Sequence, residues 1–194
     1  MVLDGELRSE MSVAVATTSE VVLAVAEERL AAPTPCAGFD VRGLLNHLMG
    51  VLTVAERAGR KAPEADAATL YVDRMVGDWR ARFTDLAGTA GRAWAAAPAW
   101  HGETPLLGRT FAAADAGRKL LGELVVHGWD VARATGQDYE PADAVVRAAH
   151  EWYVHSLAAG RSPGAWGTEF PVPRTAPLLD RVLGLSGRDP HWRA

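Results

Sequence analysis

The stretch Leu120-Leu-Gly-Glu-Leu-Val-Val-His-Gly-Trp-Asp-Val-Ala-Arg133 combines a broad apolar face with a few polar residues at helical spacing. Its apolar residues predict a helix buried against its neighbours. Glu123 and His127 are four positions apart, roughly 6 Å of helical rise, so both side chains leave the same face, and Asp130 continues the row. A carboxylate and an imidazole placed in this way can hold one metal ion, and polar groups in an apolar helix need a partner or a purpose.

The Glu-x-x-x-His spacing is weakly specific by itself. The same spacing recurs at Glu151 and His155, and a surface or intrahelical hydrogen-bonded pair explains it as well as a metal does. We interpret this second pair, together with His150 and His191, as part of a solvated surface. The first pair therefore needs support from elsewhere in the chain.

A histidine on an earlier predicted helix offers that support. The turn Thr34-Pro-Cys-Ala-Gly-Phe-Asp40 leads into a helix predicted to run to about residue 59, with the side chain of Asp40 as its cap. His47 shares the apolar face of this helix with Leu44 and Val51, so we expect it to point inward. An inward histidine is either a core residue hydrogen-bonded to backbone or a ligand that joins Glu123 and His127.

Apolar residues recur at helical spacing along most of the remaining chain, with no convincing alternating strands. This pattern predicts an all-α fold, an up-and-down four-helix bundle with additional short C-terminal helices, as a single domain over residues 1–194. The other predicted helices span 9–32, 67–97, 110–135, 142–159 and 178–185, with a loop or short strand over 98–109 and a loop over 160–177. In such a bundle, facing second and fourth helices would bring His47 close to Glu123 and His127.

Composition narrows the class of protein. The chain has 194 residues, 48% of them hydrophobic, and a formal net charge of −4, so no electrostatic feature favours nucleic acid. No apolar run approaches the ~18 residues that span a bilayer, and the first residues lack a secretory pattern. The single cysteine, Cys36, fits a reducing compartment. We therefore expect a soluble, cytoplasmic protein without membrane contact, and a homodimer is left open.

Three stretches of the chain carry a family resemblance. They are Thr34 to His47, Gly122 to Gly136, and Pro177-Leu-Leu-Asp-Arg-Val-Leu-Gly-Leu-Ser-Gly-Arg-Asp-Pro190. Together they resemble an actinobacterial branch of the DinB-like metal-binding proteins, related to the amino-terminal domain of mycothiol-dependent maleylpyruvate isomerase. The resemblance covers nearly the whole chain.

This resemblance implies a four-helix bundle with one divalent metal near one end. The family's first histidine falls on His47, and its later carboxylate and histidine fall on Glu123 and His127. Many other DinB-like proteins have a histidine in place of Glu123, so the chain resembles the isomerase type more closely. The carboxy-terminal domain of the isomerase and its substrate-contacting residues find no match here, so the resemblance implies the metal site and leaves the reaction open.

The proposed ligands indicate the chemistry of the site. Two neutral imidazoles and one carboxylate leave open coordination positions, as in catalytic zinc sites, and a zinc-bound thiol is held as the thiolate. We therefore predict a divalent-metal-dependent thiol S-transferase or isomerase that acts on a small electrophile, and the resemblance implies that the thiol is mycothiol. Its catalytic residues are unassigned. A non-catalytic metal-binding or ligand-binding bundle, or an oxygenase-like enzyme of specialised metabolism, is the alternative. Zinc is favoured over iron, nickel and manganese.

Three further residues lie near the predicted ligands in the sequence or the motif, and we interpret each of them. Asp130 and Arg133 follow His127 on the same helix, and both are candidates to support the ligands from behind. Asp130 can orient the His127 imidazole through its second ring nitrogen, or it can form a surface ion pair with a nearby arginine. We interpret Cys36 as a small packed residue, because no basic neighbour in sequence would lower its pKa.

The thiol-transferase hypothesis further predicts an apolar cavity that opens onto the metal. This cavity should have room for a bulky thiol and basic or polar groups at its mouth.

Overall fold

The computed structural model describes residues 2–62, 67–158 and 168–193. Within these ranges the chain forms helices and a small hairpin. The helices are α1 Val2–Leu23, α2 Val41–Gly59, α3 Trp79–Ala95, α4 Ala113–Thr135, α5 Asp143–Ala158 and α6 Leu178–Leu185, and the strands are β1 Glu103–Leu106 and β2 Arg109–Ala112.

The first four helices form a bundle around one apolar core. Helices α1 and α2 each pack against both α3 and α4, so α1 and α2 lie diagonally across the core. Helix α5 packs on α4 and α1, and α6 packs on α5. This arrangement confirms the predicted all-α bundle with additional C-terminal helices. None of the described helices is long and apolar enough to cross a membrane.

Two helices begin or end away from their predicted positions. The predicted first helix ends early, at Leu23, and is followed by a short 3₁₀ turn, Glu27–Arg29. The third begins only at Trp79, because the Asp78 side chain accepts the N–H of Ala81 as an N-cap. The predictions for α2 and α6 match the structure. Residues 63–66 and most of the loop predicted over 160–177 lie outside the described residues, and the described part, 168–177, contains no helix or strand.

The segment predicted as a loop or short strand contains a β-hairpin. Strands β1 and β2 pair antiparallel, and the two residues between them, Leu107 and Gly108, have φ angles of 51° and 79°. Such paired positive φ values suit the tight turns of hairpins, but a leucine there costs roughly 1–2 kcal/mol. The hairpin delays the start of α4 to Ala113 and places Leu107 against the core.

A 3₁₀ turn, Ala67–Tyr71, lies directly on the outer side of α2. This close approach requires Gly50, because a Cβ there would lie 2.9 Å from the Cα of Leu70 and 3.0 Å from its carbonyl oxygen. The absence of a side chain at residue 50 therefore lets Leu70 reach the space next to His47. Leu70 and Leu107 together help to close that space.

Candidate metal centre

Helices α2 and α4 bring together the three residues that the sequence predicts as ligands. Donor atoms of His47, Glu123 and His127 all lie within 4.8 Å of one another. His127 Nε2 lies 3.3 Å from Glu123 Oε2, and the rings of the two histidines meet edge to face with centroids 5.0 Å apart. A tetrahedral zinc ion with bonds near 2.1 Å separates its donor atoms by about 3.4 Å. The Glu123–His127 pair already has that spacing, and a small side-chain movement of His47 completes it, so the three residues fit a divalent ion.

His127 is held in orientation by a buried carboxylate. Its Nδ1 lies 3.0 Å from Oδ2 of Asp130, whose side chain has no exposed surface. This contact fixes the ring so that Nε2 faces Glu123. A carboxylate behind a histidine ligand sets its tautomer and raises its basicity. Asp130 therefore has the geometry of an orienting residue.

Asp130 is in turn paired with an arginine that sequence reasoning missed. Arg188 Nη2 lies 2.9 Å from Asp130 Oδ2, and Arg188 Nε lies 3.3 Å from Oδ1, a two-pronged contact between residues 58 positions apart. Arg188 Nη1 also donates to the carbonyl of Ser186 at 2.8 Å. The ion pair is buried rather than on the surface, because only 9% of the Arg188 side chain is exposed. Arg188 thereby supports the ring orientation of His127 from the C-terminal part of the chain.

Arg133, which we grouped with Asp130 from sequence, lies elsewhere. It is exposed, donates to the carbonyl of Trp192 at 3.4 Å, and places its guanidinium 5.8 Å from the centroid of the Trp129 ring. The position beside Asp130 belongs to Arg188 instead. Arg133 follows Asp130 by three positions, but it is exposed, whereas the Asp130 side chain is fully buried.

Cys36 forms a second cluster with His127 and Asp130, again with donor atoms within 4.8 Å. The guanidinium of Arg188 already neutralises Asp130, so a metal ion in this cluster would have to displace a buried arginine. Burial raises the pKa of the Cys36 thiol to about 11, although Arg188 opposes the shift. Cys36 is partly buried and stays a neutral thiol near pH 7.

The charges around the cluster set the protonation states of the three candidate ligands. Burial lowers the pKa of His47 to about 4, with a smaller contribution from His127, so its imidazole is neutral. Burial alone would raise the pKa of Glu123, but the ammonium of Lys119, 2.6 Å from Glu123 Oε1, and the imidazole of His127 hold that pKa well below its usual range. Burial also opposes a charge on His127, but its contacts with Asp130 and Glu123 outweigh burial and raise its pKa.

Zinc binding is expected to release about one proton per ion at pH 6, below the raised pKa of His127, because Nε2 carries a proton there until the metal takes its place. With the pKa of His127 raised above its ordinary 6.5, zinc affinity should increase about tenfold per pH unit below that raised pKa and level off above it. His47, with a pKa of about 4, contributes no proton in this range. Calorimetry in buffers of different ionisation enthalpy measures the release. A proton count of zero at pH 6 would show that His127 is already neutral.

A cavity of about 40 Å³ adjoins this centre. His47, Lys119 and Glu123 provide its polar wall. Its remaining lining is apolar and consists of Val51, Val54, Leu70, Leu106, Leu107 and Leu120. The apolar lining and the basic group expected beside the metal are present. The expected room for a bulky thiol is not, since this volume holds about one water molecule.

The other histidines lie away from the centre. Glu151 and His155 are both exposed on α5, and His191 is exposed as well. His150 lies 3.0 Å from a guanidinium nitrogen of Arg181, between α5 and α6. The second Glu-x-x-x-His pair is therefore on a solvated face, in contrast to the first.

The sequence of this chain is similar to a known protein family and to two relatives. Residues 12–132 match the protein family described as the mycothiol maleylpyruvate isomerase N-terminal domain, a span that includes His47, Glu123, His127 and Asp130 but not Arg188. Two relatives from Mycobacterium tuberculosis, one in each of two strains, are both described as uncharacterized proteins. Each is 29% identical, and the alignment covers 84% of this chain and 87% of the relative. No solved structure matches the chain.

Proposed function

The chain belongs to the mycothiol maleylpyruvate isomerase N-terminal domain family. On this basis we propose that it holds a divalent metal and uses it to activate a low-molecular-weight thiol, mycothiol, for reaction with a small electrophile. One observation carries the proposal. Two imidazoles and one carboxylate have donor atoms within 4.8 Å of one another, and two of the three residues, His47 and Glu123, line a largely apolar cavity. Three protein ligands leave coordination positions open for a thiol. Zinc suits this role best, and iron, nickel and manganese accept the same ligands.

A bound divalent ion would supply the positive charge that holds a thiol as its thiolate at neutral pH. The protein side chains would hold the ion, orient its ligands and exclude water. His47, Glu123 and His127 would hold the ion, and Asp130 and Arg188 keep His127 turned toward it. The apolar walls exclude water, so that the sulfur is not stabilised by solvation and stays nucleophilic.

The reaction is either transfer or isomerisation. In transfer, the thiolate electron pair forms a C–S bond and the leaving group departs with the electron pair of the bond that breaks. In isomerisation, that pair adds to a conjugated C=C bond, whose π electrons move to the conjugated carbonyl oxygen. Rotation about the resulting single bond and expulsion of the thiolate restore the double bond in the other geometry, with the thiol unchanged.

Entry of a thiol requires part of the cavity wall to move. Leu70, on the 3₁₀ turn over α2, and Leu107, at the hairpin turn, are both partly exposed and both line the cavity. The left-handed conformation of Leu107 makes the hairpin turn less stable than it would be with glycine at position 107. These two side chains are the walls whose displacement would enlarge the cavity.

Cobalt in place of zinc tests the proposal. The cobalt-substituted protein is expected to gain a near-ultraviolet thiolate-to-cobalt charge-transfer band when mycothiol is added, saturating at about one thiol per metal ion. Cys36→Ala should keep the band, which would then come from the added thiol and not from the protein. His127→Ala should lose it.

The same titration separates the alternatives. Stoichiometric cobalt binding with no band from mycothiol, or from smaller thiols that need less room, would rule out thiol activation and leave a non-catalytic metal-binding bundle. Purified protein that holds iron and consumes oxygen with an organic substrate would instead place the chain among metal-dependent oxygenases.

A further inference from the structure

The cavity beside the metal centre offers few polar partners to a ligand. His47 and Glu123 line it, but they are the residues that would hold the ion. Lys119, the third polar residue of the wall, is engaged by Glu123, with its ammonium 2.6 Å from Glu123 Oε1. The remaining lining residues are apolar, and burying a polar group against them without a hydrogen bond is unfavourable. The free space in this cavity therefore suits an apolar group.

A second, smaller void lies farther into the apolar core of the bundle. It measures about 10 Å³ and is lined by apolar residues, namely Met11, Val15, Val51, Leu52, Ala55, Ala90, Trp94, Leu120 and Leu124. The indole N–H of Trp94 donates to the carbonyl of Ala55 at 2.8 Å, so this polar atom is already satisfied. Such a void stays dry, because it offers water no hydrogen bond.

Two residues, Val51 and Leu120, line both spaces and therefore lie between them. Val51 follows His47 by four positions on α2, and Leu120 precedes Glu123 by three positions on α4. Each is therefore one helical turn from a candidate ligand, on the same face of its helix. Both side chains are buried. A group that extends from the metal into the core would meet these two side chains first, with further apolar space behind them.

The reactant that fits this space is the electrophile. A thiol bound to the ion needs only its sulfur at the metal. The rest of a bulky, polar thiol such as mycothiol would need hydrogen-bond partners, which these walls lack. An electrophile that meets the sulfur from the cavity side, in contrast, has apolar walls around the part that does not react.

We propose that the second substrate is an electrophile with an uncharged, apolar group, such as an alkyl chain or an aromatic ring, which occupies the cavity beside the metal. Val51 and Leu120 limit how far this group extends, so they determine the size of the substrate. The proposal rests on the proposed function, because it places the reacting carbon next to a metal-bound sulfur.

Straight-chain alkanethiols titrated into the cobalt-substituted protein test this assignment, since the sulfur binds the ion and the chain reports on the space beside it. The charge-transfer band measures binding. For the shorter chains, the dissociation constant should fall about fourfold per added methylene, because each methylene leaves water for an apolar site. The constant should level off once the chain reaches Val51 and Leu120. A terminal hydroxyl, as in 4-mercaptobutanol, should weaken binding about tenfold relative to butanethiol.

Leu120→Ala should shift the levelling-off to longer chains, because its truncation joins the two spaces. Val51→Ala, a smaller truncation of the opposite wall, should act in the same direction and serves if Leu120→Ala does not fold. Val125→Ala is the matched control. Val125 is buried on the same helix as Leu120 but is not part of either lining, so this variant should level off at the chain length of the wild type.

Three results would count against these assignments, each in a different way. A band that forms with every alkanethiol, at a dissociation constant independent of chain length, would overturn the apolar substrate and leave thiol activation intact. Folded Leu120→Ala and Val51→Ala variants that level off where the wild type does would overturn the role of these two residues. Absence of a band with all thiols would overturn the proposed function and this inference with it.

Discussion

Zinc affinity is expected to fall on the order of a thousandfold when His127 is replaced by alanine, and comparably for His47→Ala and Glu123→Gln. Each change leaves two of the three protein ligands. Losing a residue that only hydrogen-bonds to a ligand typically lowers metal affinity by about 10–100-fold, and losing the ligand itself should lower it further. Donor atoms of these residues lie within 4.8 Å of one another, so all three changes should act on one ion. Elemental analysis and competition titration of purified proteins measure the loss.

The chain contains its own control for this experiment. Glu151 and His155 have the same spacing as Glu123 and His127 but are exposed on α5. His155→Ala should therefore bind zinc as the wild type does. Circular dichroism and thermal melting of each variant show that the bundle is folded. Two outcomes would contradict the prediction: wild-type protein that contains no metal, or metal content that falls in His127→Ala but not in His47→Ala. In either case these histidines would be hydrogen-bonded core residues.

Removing Arg188 is expected to destabilise the protein by about 3–5 kcal/mol, because Arg188→Met removes the guanidinium that pairs with the fully buried Asp130. The double variant Asp130→Asn with Arg188→Met should recover part of that loss, since no unpaired charge then remains. Urea unfolding of the metal-free proteins measures both effects.

Arg133→Met is the control for this second experiment. Arg133 lies on the same helix as Asp130 but is exposed, so its loss should change stability by less than about 0.5 kcal/mol. Equal stability of the Arg188 and Arg133 variants would show that the buried contact with Asp130 contributes nothing. Asp130→Asn alone should also weaken zinc binding 10–100-fold, through the orientation and basicity of His127.

The sequence predicted helices best where the apolar pattern and the capping residues agree. Helix α2 has both, with Asp40 at its start, where the side chain accepts the N–H of Gly43 at 2.7 Å, and its predicted bounds match the structure. The third helix was predicted too early because Leu70 and Met75 continue its apolar spacing. Those residues reach the core from a 3₁₀ turn and an irregular segment, and the Asp78 cap determines where α3 begins. The family resemblance is confirmed by the match over residues 12–132.

The convergence of His47, Glu123 and His127 could be predicted because inward positions on two bundle helices must meet in the same core. Arg188 could not be assigned in this way. Its pairing with Asp130 spans 58 residues, and no local pattern links the two. A buried aspartate on an apolar helix does require a partner, but Arg133, the arginine grouped with it on the same helix, is exposed. The size of the cavity depends on Leu70 and Leu107, whose turns bring them together only in the folded protein.

The dependence of His127 on Arg188 also bears on how the protein matures during synthesis. A growing chain emerges from the ribosome with its amino-terminal residues first, and the elements made early can begin to fold. His47, Glu123 and His127 emerge well before Arg188, so for a time Asp130 has no guanidinium to hold it behind the imidazole. The nascent bundle should therefore bind metal weakly. If the proposed site holds metal, full affinity would require the segment around residue 188 to dock, and metal loading would then follow synthesis of the domain.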